Sequence, residues 1–147
     1  MYIPGTEGSE GITTMTLSPS KRYLAVCEKA ERALCIIYDM HPLSLMPPQN
    51  PKRKKILTSH DCNSREFVSV AFDPHHEKTF LATISAPFMV RDDKGQATAF
   101  QGDSKLILWM WDKSKCFALA NLQYNDNSIP NQVSFNNQDH NVIVVTG

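Results

Sequence analysis

Three segments of this chain follow one grammar, and a repeat of that length constrains the fold more than any single motif. The first reads Ile12-Thr13-Thr14-Met15-Thr16-Leu17-Ser18-Pro19 and continues as Lys21-Arg22-Tyr23-Leu24-Ala25-Val26. The second reads Phe67-Val68-Ser69-Val70-Ala71-Phe72-Asp73-Pro74 and continues as Lys78-Thr79-Phe80-Leu81-Ala82-Thr83. The third runs from Pro130 through Val133-Ser134-Phe135-Asn136 to Val142-Ile143-Val144-Val145, with Asn137 where the others have proline. Alternation of Val68, Val70 and Phe72 with Ser69 and Ala71 gives a strand with two distinct faces. Pro19 and Pro74 then stop the strand, because proline fixes φ and has no N–H to donate, while Ser18 and Asp73 can accept bonds from the turn ahead. Each unit predicts a β-hairpin.

After each of the first two hairpins comes an apolar run, Ala33-Leu34-Cys35-Ile36-Ile37-Tyr38-Asp39 and Lys105-Leu106-Ile107-Leu108-Trp109-Met110-Trp111-Asp112. Near-continuous apolar character predicts strands covered on both faces. A fourth strand follows each, at 54–58 and at 116–120. No amphipathic helical period competes. The chain is therefore expected to be all-β: two four-stranded antiparallel units, 12–58 and 67–120, and the first hairpin of a third at 130–147. Phe72 follows Leu17 by 55 residues and Phe135 follows Phe72 by 63, longer than the roughly 40 to 45 of a compact four-stranded repeat. Two insertions account for the excess. One, at 41–51, holds four prolines; the other, at 86–104, holds Arg91-Asp92-Asp93-Lys94-Gly95. Both are expected to be exposed, mobile loops outside the sheets.

Charge is balanced, with 15 Lys and Arg against 15 Asp and Glu, so no global field draws the chain to nucleic acid or to an anionic membrane. The exception is local: Lys52-Arg53-Lys54-Lys55. This run is the candidate partner-binding element, for a phosphate-bearing or acidic protein partner such as tubulin, or as a nuclear signal. The plainer reading is a solvated edge strand whose lysines discourage wrong pairing. It lacks the interleaved aromatics of a nucleic-acid binder. No apolar stretch approaches the roughly 20 residues that cross a bilayer, and the opening residues lack the pattern of a signal peptide. Neither secretion nor membrane insertion is expected.

Chemistry-bearing motifs are sparse. There is no G-x-S-x-G elbow for a Ser-His-Asp nucleophile, and Gly8, Gly11, Gly95 and Gly102 form no phosphate-binding loop. Cys27, Cys35, Cys62 and Cys116 include no C-x-x-C pair, and three of them lie in or beside apolar runs. They read as reduced, mostly buried thiols of an intracellular protein. A zinc site from His60, Cys62, His75 and His76 would lack the close ligand pairs of structural zinc, and His75-His76 read as exposed hairpin-tip residues. Trp109 and Trp111 are two apart and share a strand face, which favours core packing over a partner-binding aromatic patch. Neither an enzyme, a cofactor nor a small-molecule substrate is expected.

The hairpin closed by x-Pro, followed by an apolar strand ending in aromatic-Asp at Tyr38-Asp39 and Trp111-Asp112, resembles the WD40 repeat, whose structural signature here is Pro19, Tyr38, Asp39, Pro74, Trp111 and Asp112. The ordered set Ile3-Pro4-Gly5, Arg22-Tyr23-Leu24-Ala25, Lys52-Arg53-Lys54, Trp109-Met110-Trp111-Asp112 and Gln132-Val133-Ser134-Phe135 resembles more narrowly the early propeller region of the cilia- and flagella-associated protein 57 family of axonemal WD-repeat proteins. The resemblance implies a fragment of a WD40 β-propeller and a scaffold role in axonemal assembly, with inner dynein arm or regulatory complexes as partners, in the cytoplasm and cytoskeleton of a cilium or flagellum. A WD40 adaptor of another cytoplasmic complex, such as a ubiquitin ligase or an RNA-associated assembly, is the alternative. Two and a half blades are expected to leave both ends of the stack open, at Met15, Leu17, Leu24 and Val26 on one side and Val133, Phe135, Ile143 and Val145 on the other, and so to associate.

Overall fold

The computed structural model describes residues 6, 8–58, 62–91, 93–102, 104–125, 128–136, 138 and 142–147. The Ile3-Pro4-Gly5 motif, His60 and Asn137 lie outside them. Among the described residues twelve strands are formed: β1 (Gly11–Leu17), β2 (Tyr23–Lys29), β3 (Leu34–Asp39), β4 (Lys52–Leu57), β5 (Phe67–Phe72), β6 (Phe80–Ser85), β7 (Phe88–Arg91), β8 (Ala97–Gln101), β9 (Lys105–Met110), β10 (Lys115–Asn121), β11 (Gln132–Phe135) and β12 (Ile143–Thr146). One antiparallel sheet has the order β1-β2-β3-β4 and the next β10-β9-β6-β5, while β11 and β12 form a hairpin. The fold is that of WD40 propeller blades, with strands in sequence order and no closed ring among the described residues. No helix among them is long and apolar enough to cross a membrane.

The hairpin grammar is visible in the hydrogen bonds. The ladder closes from the Ser18 N–H to the Tyr23 carbonyl at 2.8 Å, from Asp73 to Phe80 at 3.1 Å and from Asn136 to Val142 at 2.9 Å. The side chain at the same position then accepts from the turn. Ser18 Oγ takes the Tyr23 N–H at 3.0 Å, Asp73 Oδ1 takes those of His75 and His76 at 2.9 and 3.2 Å, and Asn136 Oδ1 takes that of Gln138 at 2.8 Å. Each satisfies backbone donors that the sharp reversal removes from the ladder.

The blades pack through one core. From the first sheet come Tyr23, Ala25, Cys27, Cys35, Ile37 and Leu57; from the second come Phe67, Val70, Phe72, Leu81, Ile107, Trp109 and Trp111, all buried. One aromatic edge crosses this seam, Tyr23 and Trp111 with ring centroids 5.0 Å apart, and two contacts within the second blade hold the indoles against it, Phe72 with Trp111 and Phe67 with Trp109, both at 6.3 Å. Trp109 and Trp111 are thus core residues, and their ring nitrogens donate to Thr83 Oγ1 and to the Glu77 carbonyl, both at 2.9 Å. The third hairpin lies on the far side of the second sheet, where Val133, Phe135, Ile143 and Val145 meet Ala82, Ile84, Leu106 and Leu108.

Several sequence expectations are corrected here. The backbone register pairs Leu24 with Tyr38 and Leu81 with Trp109, so Trp109 is the structural counterpart of Tyr38. Trp111-Asp112 lies two residues further on, in a 3-10 turn over Trp111–Lys113, because β9 ends at Met110 and the chain turns before the dipeptide. The 86–104 insertion is not a loop throughout. Its β7 and β8 pair in a separate two-stranded sheet, as expected when β-prone residues flank a turn whose Gly95 supplies a φ of +79°. The 41–51 insertion is an exposed connection with one 3-10 turn at His41–Ser44. The open faces also differ. Leu24 and Val26 are buried with Ile36 and Tyr38, leaving Ile12, Met15 and Leu17 of β1 about half exposed. In the last hairpin the period of two turns Val144 outward, and it is exposed while Val133 is buried.

Asp73 is 4% exposed and its carboxylate holds two turn donors. Asp73→Ala should therefore cost about 1–2 kcal/mol, by removing the side-chain acceptor of those donors. Urea denaturation should show this as a lower midpoint at unchanged slope; an unaltered midpoint would remove the turn from the account.

Candidate interaction surface

The basic run forms β4, the last strand of its sheet, and no strand pairs with its outer side among the described residues. Lys52, Arg53 and Lys54 are exposed and Lys55 is half-buried. The inner side pairs Leu57 with Cys35, Ile56 with Ile36, Lys55 with Ile37, Arg53 with Tyr38 and Lys52 with Asp39. The register slips between Ile37 and Tyr38, leaving Lys54 as an extra residue. This is a β-bulge, which sets Arg53 and Lys54 together opposite Tyr38. A bulge and lysines on an edge both oppose pairing with a further strand. What β4 offers is its row of cationic side chains.

At the end of the sheet where β4 begins, the first blade is tied by one ion pair. Arg22 Nε and Nη2 donate to the two oxygens of Asp39 at 3.0 and 3.2 Å, and the His41 N–H donates to Asp39 Oδ1 at 2.9 Å. The Arg22 hydrogen bonds, opposed by burial and helped by the His41 N–H, hold the Asp39 carboxyl below the usual range; Lys54 adds a weaker pull in the same direction. Tyr38 moves the other way, its phenol raised by burial and by Glu28 against a smaller opposing effect of Arg53. Glu28 is itself buried, and its carboxylate accepts from Thr6 Oγ1 at 2.8 Å and Ser9 Oγ at 3.2 Å.

Beside the ion pair a groove of about 540 Å³ runs between the blades, walled by the turns at 20–22, 40–44 and 77–78. Lys21, Arg22, His41 and Lys78 stand around it. Glu77 bridges the blades there by accepting from the Ser20 N–H at 3.3 Å. Burial pushes the Glu77 carboxyl up, but hydrogen bonds from Ser18 and Ser20 outweigh it and bring it below the usual glutamate range. Sequence reasoning missed this groove, because its residues come from three turns separated by up to 58 positions (Ser20 to Lys78).

The other sequence candidates separate. Cys62 is buried near Ala33, with Arg32 donating to its carbonyl at 3.4 Å, whereas His75 and His76 sit on the β5–β6 turn at the opposite strand end. No group of three His, Cys, Asp or Glu among the described residues could hold a metal. Cys27 and Cys35 face each other across β2 and β3 and are buried; Cys116 is exposed. A hydrogen bond with Cys27, and then burial, push the Cys35 thiol well above its usual value, the reverse of the activation that a nucleophilic thiol needs. Of the aromatic-Asp residues, Tyr38 and Trp111 are buried, Asp39 holds the ion pair and Asp112 is exposed.

No family model matches the chain. Over 147 residues it is 31% identical to cilia- and flagella-associated protein 57 of Mus musculus, covering 99% of this chain and 10% of that protein. Cilia- and flagella-associated protein 57 C of Tetrahymena thermophila is 30% identical over 152 residues, again across 99% of this chain and 10% of its own length. Protein 57 A of the same ciliate is 28% identical over 184 residues, with 99% and 13% covered. The chain is thus similar along nearly its whole length to a stretch of these proteins, and it spans about a tenth of the curated relatives it matches.

Asp39 gives a pH signature. Its folded value lies below the ordinary aspartate value near 4, so the ion pair contributes stability above that value and loses it as pH falls through the lower, folded one. Asp39→Asn should lower the urea midpoint at pH 7, and the difference from the parent chain should shrink steadily below about pH 4. A difference that stays constant down to pH 2 would contradict the role given to Arg22.

Proposed function

We propose that this chain is part of a non-enzymatic WD-repeat scaffold for protein–protein interaction in the axonemal assembly of motile cilia or flagella. One observation carries the reading: similarity over 99% of the chain to three proteins named for their association with cilia and flagella. The geometry supports a binding role. Blades packed through an aromatic seam give a rigid base, and such a base presents turns and edges to partners. Cys27, Cys35 and Cys62 are buried and both tryptophans are committed to the core, which fits a scaffold. Its partners in this reading are axonemal or dynein-associated proteins or tubulin, met through Lys52, Arg53, Lys54 and Lys55, with no cofactor.

Expression of the tagged chain in ciliated cells tests the proposal, beside a variant in which Lys52, Arg53, Lys54 and Lys55 are all Glu. The parent chain should concentrate along the axoneme and resist detergent extraction, and the variant should be released. A diffuse or nuclear pool for the parent chain would instead favour a WD40 adaptor of another complex.

A further inference from the structure

The zero net charge conceals an asymmetry between the two ends of the strands. At one end lie the turns β1–β2, β3–β4, β5–β6 and β9–β10, since the register joins Leu17 to Leu24, Tyr23 to Asp39 and Asp39 to Lys52 in one sheet, and Phe72 to Leu81, Phe80 to Met110 and Met110 to Lys115 in the next. The Ser20–Glu77 bond and the Tyr23–Trp111 contact show that both blades place this end on the same side. Lys21, Arg22, Lys52, Lys78, Lys113 and Lys115 are all exposed there.

The acidic groups at this end offset them only in part, four carboxylates among the described residues against the six cations. Asp39 is held by Arg22, Asp73 is buried against the His75 and His76 backbone, and Glu77 is engaged by Ser20. Asp112 is the remaining acid among the described residues here. The opposite end is mixed: Lys29, Arg32, Arg65 and Lys105 are matched by Glu10, Glu28, Glu31 and Glu66. Its groove of about 430 Å³ has two glutamates, Glu10 and Glu31, against one cation, Arg65.

We propose that the basic strand end, centred on the groove between Lys21 and Lys78 and continued by Lys52, is a docking face for an acidic segment of a partner protein. The inference rests on the protein-binding reading above and adds which face of the blades carries it. Several considerations select a polypeptide. Three cations, Lys21, Arg22 and Lys78, outnumber Glu77 in the lining of a groove of about 540 Å³, and His41 and Ser44 in its wall can bond to peptide groups. The groove lining has no Phe, Tyr or Trp on which a base could stack. A carboxylate-rich segment gains from several exposed cations at once, without forcing the partner to desolvate a buried ion pair. Cations of one sign around a cleft also raise the association rate.

The test uses the 147-residue chain and a fluorescein-labelled peptide of alternating glutamate and glycine, read by fluorescence anisotropy at low ionic strength. The peptide should bind, and raising salt to about 0.3 M should abolish most of the binding. Lys21→Glu with Lys78→Glu should weaken binding by about tenfold or more, whereas Lys29→Glu with Lys105→Glu, the same charge change at the other end, should alter it less than about twofold. Far-UV circular dichroism of both pairs should match the parent. Equal losses from both pairs, or no binding by the parent, would overturn the assignment. So would tighter binding of single-stranded oligothymidine or of phosphatidylserine vesicles than of the peptide. Loss with Lys52→Glu and Lys54→Glu while the Lys21 and Lys78 pair binds normally would keep the basic strand as a partner site and overturn the groove.

Discussion

The aromatic seam between the two four-stranded sheets is the constraint on which the rest of the structure depends. A single sheet of this kind has two apolar faces and cannot hide them alone. Tyr23 and Phe72 reach the indole of Trp111, Phe67 reaches that of Trp109, and the two ring nitrogens are satisfied by Thr83 and Glu77. Removing either indole would leave a void and an unsatisfied acceptor at once, a change of about 3–5 kcal/mol. The seam also fixes function at one remove. Because Trp111 bonds to the Glu77 carbonyl and Glu77 accepts from Ser20, the turns of the two blades are held side by side, and the groove between them exists only while the seam does.

The hairpins were legible in the sequence because their signal is local. A strand of period two, an acceptor side chain and then proline specify both the strand and its stop, and the Ser18, Asp73 and Asn136 turns form the same bonds. The blade order followed from repetition of that unit. What failed to show was anything set by register. Tyr38-Asp39 and Trp111-Asp112 look equivalent as dipeptides, yet pairing of Leu81 with Trp109 shifts the second by two residues. Which face of the last hairpin is covered likewise depends on what it meets, and so Val133, expected at an open end, is buried against the second sheet. The β7–β8 hairpin was obscured by the charged turn between its strands.

The candidate surface was half legible. Four consecutive cations announce themselves in any sequence, and their place on an edge strand follows from the apolar strand before them. Lys21, Lys78 and the lysines at 113 and 115 carry no such signal, being single charges in separate turns. They become one surface only because antiparallel sheets return the chain to the same end again and again. Balanced composition hid the same fact, since a neutral total is compatible with one end that carries a surplus of cations and another that is balanced. Cys27 and Cys35 were legible as buried thiols from the apolar runs around them, and they face each other inside the seam.

The central claim is that the two blades are one cooperative unit closed by this seam. Urea unfolding followed on the same samples by tryptophan fluorescence, which reports on Trp109 and Trp111 alone, and by far-UV circular dichroism, which reports on all the strands, tests it directly. The account predicts superimposable transitions with one midpoint. A fluorescence change completed while the β signal is still intact would show that the sheets stand without the seam, and would contradict it.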